Sequence, residues 1–280
     1  MKVIDYGLGG YEILQLPNST DVQMMGYLIK TPEGLVAIDG GNPGDTPLLR
    51  DLIRENGGHV ILWLLTHCHD DHYSAPAEIF ADPDGITVDR VCYHFPPYEW
   101  LHATEPAEPL DLIFDRIREK PELFCVVEAG EVLHAGGLEI KVLNDPMRFE
   151  EYSAPSPNKG SSINDTSLVF RILFPNGKIA LFLGDLGLRA GNILAEDFGP
   201  YLKSDIVQMA HHGQNGADEN VYRLIRPDVC LWTAPTWLYN NDRGDGFNTA
   251  IYKTVTVRGW MEKLGVTLHA VEGEGLTVIR

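Results

Sequence analysis

The run Thr66-His67-Cys68-His69-Asp70-Asp71-His72 follows directly on an unbroken apolar segment, Val60–Leu65. Such a segment reads as a strand in a sheet covered on both faces. Five potential metal donors therefore fall within six residues at the end of a rigid element. His67 and His69, two apart, point to one side of an extended chain. Asp71 and His72 reach a neighbouring position as the chain turns into a helix near Tyr73. A lone His is more often a plain core or surface side chain. Three His and two Asp packed together are costly to desolvate, and protonated imidazoles repel one another. A divalent cation resolves both problems by accepting neutral imidazole nitrogen and carboxylate oxygen. Cys68 faces the other way in the i, i+2 pattern and reads as buried filler rather than a soft ligand.

Two further strand ends carry donors. Leu181-Phe182-Leu183-Gly184-Asp185 places an Asp just beyond an apolar strand, with Gly184 permitting close backbone approach. Ile206 to Gly213 does the same with the pair His211-His212. Either alone is weak, because a strand-end Asp is usually a turn residue or a helix cap. Elsewhere the pattern predicts strands at Tyr11–Leu16, Gln23–Lys30, Leu35–Ile38, Thr87–Tyr93, Val132–Leu143 with a turn at Gly136-Gly137, Ser167–Phe174, Lys178–Leu183, Asp205–Met209, Asp228–Trp232, Val266–Val271 and Leu276–Ile279. Helices are expected after Thr46, over Leu110–Glu119, over Ala217–Ile225 and over Phe247–Leu264. Asp145–Ser162 reads as a long loop. With no linker and no repeat, one domain over 1–280 is the expectation, with helices outside mixed sheets.

The three donor groups, in this order, resemble the metallo-β-lactamase superfamily. His67-Cys68-His69-Asp70-Asp71-His72 matches its HxHxDH motif, and Asp39 in Ala37-Ile38-Asp39-Gly40-Gly41 resembles the strand-end Asp of its first motif. Asp185 looks like the bridging Asp and His211 like the last metal-binding His. The resemblance spans roughly residues 11–235. It implies an α/β fold, a four-layer αββα sandwich with the site at one edge, and usually two metal ions. By carry-over, His67 and His69 serve one ion, Asp71, His72 and His211 the other, and Asp185 bridges them. Asp39 would orient an imidazole by accepting its other N–H. The family's third motif generally supplies a His. Here Gly160-Ser161-Ser162-Ile163-Asn164-Asp165-Thr166-Ser167-Leu168-Val169 has none, so Asn164 or Asp165 takes its place or the first ion is weakly held; His134 is a remoter substitute. The Asn-Asp-x-Ser-Leu-Val wording resembles the branch holding the nuclease-like domain of DNA-uptake competence proteins and choline-phosphate esterases.

The implied activity is metal-dependent hydrolysis, with Asp71 and His212 as the catalytic candidates. A divalent ion lowers the pKa of bound water to about 7, giving a nucleophile without Ser or Cys. His211 is expected as ligand and His212 as proton donor, the two being exchangeable. Zinc is the first expectation, while manganese and iron also suit imidazole with carboxylate. A phosphodiester or related small ester is favoured as substrate. A lactone, thioester or β-lactam, and a non-hydrolytic di-iron or metal-binding role, are the alternatives. Trp232, Trp237 and Tyr239 either wall a pocket or pack in the core.

Composition narrows the partners. The 280 residues carry a formal charge of −18, which repels polyanions, so a small molecule and not long nucleic acid is expected. No apolar stretch is long enough for a membrane helix. Met1–Leu16 shows no secretory pattern, making a cytoplasmic location the expectation. Cys68, Cys92, Cys125 and Cys230 lie far apart in sequence and read as reduced, mostly buried thiols.

Overall fold

The computed structural model describes residues 1–103, 107–154 and 162–280. Eight strands from the first half build one sheet: β1 (Lys2–Ile4), β2 (Glu12–Gln15), β3 (Gly26–Thr31), β4 (Gly34–Asp39), β5 (His59–Leu64), β6 (Thr87–Val88), β7 (Val91–Tyr93) and β8 (Phe124–Val126). Seven from the second half build another: β9 (Val132–Ala135), β10 (Leu138–Val142), β11 (Phe170–Leu173), β12 (Ile179–Phe182), β13 (Ile206–Gln208), β14 (Val229–Trp232) and β15 (Leu268–Val271). The last strand, β16 (Thr277–Ile279), returns to the first sheet between β1 and β2. Each sheet joins an antiparallel meander to a parallel half, and β1 adds to the outer edge of the first sheet parallel to β16. β2, β3 and β4 form a meander and β4, β5, β7 and β8 run parallel. β9 to β12 form a second meander and β12 to β15 run parallel.

Alternation along the central strands separates three apolar interiors, as a period of two requires. Val36, Ile38, Leu62 and Leu64 meet Phe170, Ile172, Phe182 and Ile206 between the sheets. Leu35, Ala37, Val60 and Trp63 face outward onto α1 (Thr46–Glu55), α2 (Asp70–Ala81), α3 (Tyr98–His102) and α4 (Ala107–Glu119). After the short α5 (Glu150–Ser153), the second sheet turns Leu181, Val207 and Cys230 onto α6 (Leu188–Phe198), α7 (Glu219–Ile225), α8 (Thr236–Tyr239) and α9 (Thr254–Lys263). The layers run helix, sheet, sheet, helix. This is the αββα sandwich that the sequence implied.

Local departures have identifiable causes. The strand expected over Thr87–Tyr93 is broken into β6 and β7. The helix expected from Phe247 starts only at Thr254, because Asn241 ties the preceding loop. Its Nδ2 donates to Ala250 O and to Asn248 Oδ1, and its Oδ1 accepts from Tyr252 N. Asp145–Ser162 contains α5, and its residues 155–161, with Pro155, Pro157, Gly160 and Ser161, lie outside the described residues. α2 begins at Asp70, earlier than expected, so Asp71 and His72 sit in its first turn. No helix among the described residues is long and apolar enough to cross a membrane.

Candidate metal centre

The parallel halves of both sheets end on the same edge of the sandwich, and the donors stand there. β4 delivers Asp39, β5 leads into His67 and His69, α2 opens with Asp71 and His72, β12 leads to Asp185, and β13 leads to His211-His212. The backbone is bent sharply at these ends. Asp39, His211 and His212 all hold positive φ, at 50°, 51° and 55°. Non-glycine residues rarely accept that region, and it persists where surrounding structure enforces it. Gly184 also has positive φ, and a Cβ there would lie 2.9 Å from that of Ser167. Asp185 reaches the edge only because position 184 is bare.

Asp39 is completely buried and holds the first half of the centre together. Its carboxylate accepts from Thr66 N at 2.8 Å and Thr66 Oγ1 at 2.7 Å, and meets His72 Nδ1 at 2.8 Å. A proton on His72 Nδ1 leaves Nε2 as a lone pair aimed inward. His212 is fixed the same way, its Nδ1 donating to Thr233 O at 2.7 Å. Both Nε2 atoms face Asp185, His72 at 3.3 Å from Oδ1 and His212 at 3.2 Å from Oδ2. Asp71 Oδ2 is 3.1 Å from His212 Nε2. His67 joins His72 and Asp185 in one tight donor group, and Asp71, His72 and His212 form a second. Despite these approaches, His72 Nε2, His212 Nε2 and Asp185 Oδ1 are buried without a hydrogen-bond partner. Buried polar atoms are normally satisfied. Three converging orphans, two imidazole nitrogens and one carboxylate oxygen, are the donor set a divalent cation takes.

Residues 20–137 match the family model described as the metallo-beta-lactamase superfamily. Solved structures align over nearly the whole chain. The metallo-β-lactamase fold protein YhfI of Bacillus subtilis shares 12% identity at a TM-score of 0.56, covering 94% of this chain and 98% of that one. Igni18, a metallo hydrolase of Ignicoccus hospitalis, shares 17% at 0.57, covering 96% and 99%. CmlA, a diiron β-hydroxylase of Streptomyces venezuelae, shares 13% at 0.54, covering 96% of this chain and 54% of that one. Residues 20–137 are thus similar to that superfamily, and the whole chain has its αββα fold. No curated protein matches the chain in sequence.

Within this metallo-β-lactamase fold the two members of the His pair are placed differently. His212 is fully buried and packs into the donor group with Asp71 and His72, away from solvent. His211, the expected ligand, is the partly exposed one. It lies 4.0 Å from Asp185 and 3.3 Å from Asn164 Nδ2, on the open side with His69. The expected donor of a proton thus faces inward and the expected ligand faces the cleft. The third-motif stretch forms a short 3-10 turn, Ile163–Thr166, in which Asn164 points at His211 while Asp165 turns away to receive Ala190 N at the start of α6. His134 is exposed on β9 opposite Glu139, at the meander side of the second sheet. Cys68 is buried with the helix-side core, as expected of filler.

The protein's own charges are strongly coupled here. Burial would lower His72, yet Asp185, Asp71 and Asp39 outweigh it and raise its pKa well above the ordinary value. His212 is likewise raised, to about 10, against burial and chiefly by Asp185. His67 goes the other way, pushed well down by burial and by His72 and His69. Asp185, Asp71 and Asp39, which otherwise hold protons on these imidazoles, would favour a divalent cation in their place.

Above the centre lies a cleft of about 440 Å³ lined by His69, Asp71, Asp185 and His211 on its floor and by Trp237 and Arg243 on its rim. Trp237 donates its indole N–H to Asp21 O at 2.9 Å, and the Arg243 guanidinium stacks 3.5 Å from the Trp237 ring centroid. Trp232, by contrast, is fully buried and packs edge-on against Tyr239. Arg243 escaped the sequence reading. Its only signal was a single Arg in a Gly- and Asp-rich loop, the kind of segment that carries function.

Proposed function

We propose that this chain is a metal-dependent hydrolase of a small anionic ester, a phosphodiester before other esters, working with one or two divalent ions, zinc first. The carrying observation is the set of unpartnered donor atoms of His72, Asp185 and His212, converging beneath an open cleft with one cation on its rim. When bound, the ions would polarise the substrate and bring the pKa of water to about 7.

The residues divide the remaining work. Asp71, His72 and His212 hold the inner position, Asp185 is shared, and His67 and His69 hold the outer one, with His211 completing it where the family's third-motif His is missing. Asp39 and Thr233 O keep the two inner imidazoles in the tautomer that presents Nε2. Arg243, the one Lys or Arg lining the cleft among the described residues, anchors substrate charge, and its stacking on Trp237 limits the entropy lost in doing so. That cation supports a charged ester over a neutral lactone or thioester. The Asn164-Asp165-Thr166-Ser167-Leu168-Val169 wording supports the phosphodiester branch, and a charge of −18 argues for a small substrate over a polynucleotide.

The test is a substrate screen on purified protein of measured metal content. Bis(p-nitrophenyl) phosphate should be turned over, lost on chelation and restored by zinc or manganese. Arg243→Ala should raise KM for that substrate about tenfold with little change in kcat, and leave a neutral aryl ester unaffected. Chelator-sensitive turnover of neutral esters or lactones alone would move the assignment to acyl transfer. An iron-loaded, coloured protein without hydrolysis would overturn it.

A further inference from the structure

Cys92 and Cys125 read as isolated buried thiols in the sequence, but the fold joins them. They are Cα partners on the adjacent parallel strands β7 and β8, and their sulfurs lie 2.6 Å apart. Neighbouring strands run about 4.8 Å apart, inside the roughly 4.4–6.8 Å Cα separation that a disulfide spans. The two thiols differ. Cys92 is fully buried in the core between the sheets, whereas Cys125 is partly exposed on β8, the last strand of its sheet. Arg90 Nε donates to Cys125 Sγ at 3.0 Å. A guanidinium on a thiol favours the thiolate, the form that attacks. In keeping with this, Cys125 is drawn down to about 6 by its hydrogen bond to Cys92 and by Arg90, while the Cys92 thiol is raised.

We propose that Cys92 and Cys125 form a dithiol modification site, remote in chemistry from the metal centre, which a low-molecular-weight disulfide such as oxidised glutathione converts reversibly to a disulfide. The Cys125 thiolate attacks one sulfur of glutathione disulfide. That S–S bond breaks, a Cys125–glutathione bond forms, and the first glutathione leaves as thiolate and takes up the proton Cys125 gave to solvent. Cys92 then loses its proton and attacks Cys125 Sγ, expelling the second glutathione. Two protein thiols are oxidised and one small disulfide is reduced to two thiols. The product ties the edge strand β8 to β7 and closes the segment that carries α3 and α4.

Intact mass after incubation with excess oxidised glutathione tests this on the full chain. Wild type should lose two hydrogens, with peptide mapping showing a Cys92–Cys125 bridge, and dithiothreitol should reverse it. Cys92→Ser should stop at one glutathionyl adduct on Cys125, and Cys125→Ser should stay unmodified. Arg90→Gln, which leaves both thiols in place, should slow adduct formation several-fold. Mapping of wild type alone is decisive if a variant misfolds. Thiols that remain reduced in wild type, a stable mixed adduct there, or a bridge that includes Cys68 or Cys230 would each overturn the proposal.

Discussion

The two halves of the sandwich feed the same centre by different means. The first half would supply four of the proposed donors from one short stretch, His67 to His72, because β5 ends rigidly and α2 begins at once. The second half supplies its donors one strand at a time, Asp185 after β12 and the His pair after β13, and holds the pair with left-handed backbone at both residues. A loop that curls around an ion tolerates small errors, since its donors move together. Donors on separate strand ends do not, and each must be fixed by its own partners. The second half is therefore where the centre is most easily broken.

Asp185 tests this most severely, as it is the carboxylate both halves share. Asp185→Ala should strip most of the bound metal and lower turnover by more than about 10³-fold, in line with several kcal/mol of lost transition-state stabilisation. Elemental analysis and kcat/KM measure both. Retention of full metal content would mean that the first half's loop suffices. The His pair gives the next largest contrast. His212→Ala should empty the inner position and, by leaving Asp71 and Asp185 facing one another, cost about 3–5 kcal/mol of stability in metal-free protein. His211→Ala should preserve the fold and the inner ion and lose only the outer one. Metal stoichiometry with thermal unfolding separates them, and identical behaviour of the two variants would show that burial does not set their roles. In the first half, Asp39→Asn keeps the shape but weakens the hold on His72. Metal affinity should fall about 10–100-fold by competition with a chelating dye, with the fold intact.

The same contrast explains what could be read in advance. The layers were legible because alternation along β4, β5 and β12 assigns each side chain to an interior, and the 67–72 loop was legible because its donors are contiguous. Asp185 and the His pair were legible only by their order along the chain. Which imidazole points inward was not, since a one-residue difference at a left-handed turn rotates the side chain from cleft to core. Arg243 came to the rim by a loop whose shape is set by Asn241, and Cys92 met Cys125 through strand register. Neither relation has a local pattern. The missing third-motif His was visible as an absence, but His211 beside Asn164 is a tertiary arrangement.

Glu272, just beyond β15, sharpens the comparison by the smallest effect. It is a second-half residue, buried, with neither oxygen hydrogen-bonded, and no first-half carboxyl among the described residues shares that state. Burial, joined by the charges of Asp45 and Asp71 and opposed by His212, raises its pKa well above the ordinary carboxylate value. The native state thus keeps a proton that the unfolded chain sheds near about pH 4.3. Stability from that proton is complete below this pH and is lost as pH rises toward the folded value, by up to about 1.4 kcal/mol per pH unit. Glu272→Gln cannot titrate. In metal-depleted protein, urea unfolding should show the variant gaining on wild type as pH climbs from about 4.3 toward neutrality. A constant difference across that range would mean the carboxyl ionises normally. Loading the centre should shrink the gain, because a nearby cation stabilises the carboxylate and draws its pKa back down. If loading leaves it unchanged, Glu272 belongs to the packing of the second sheet and not to the field of the metal.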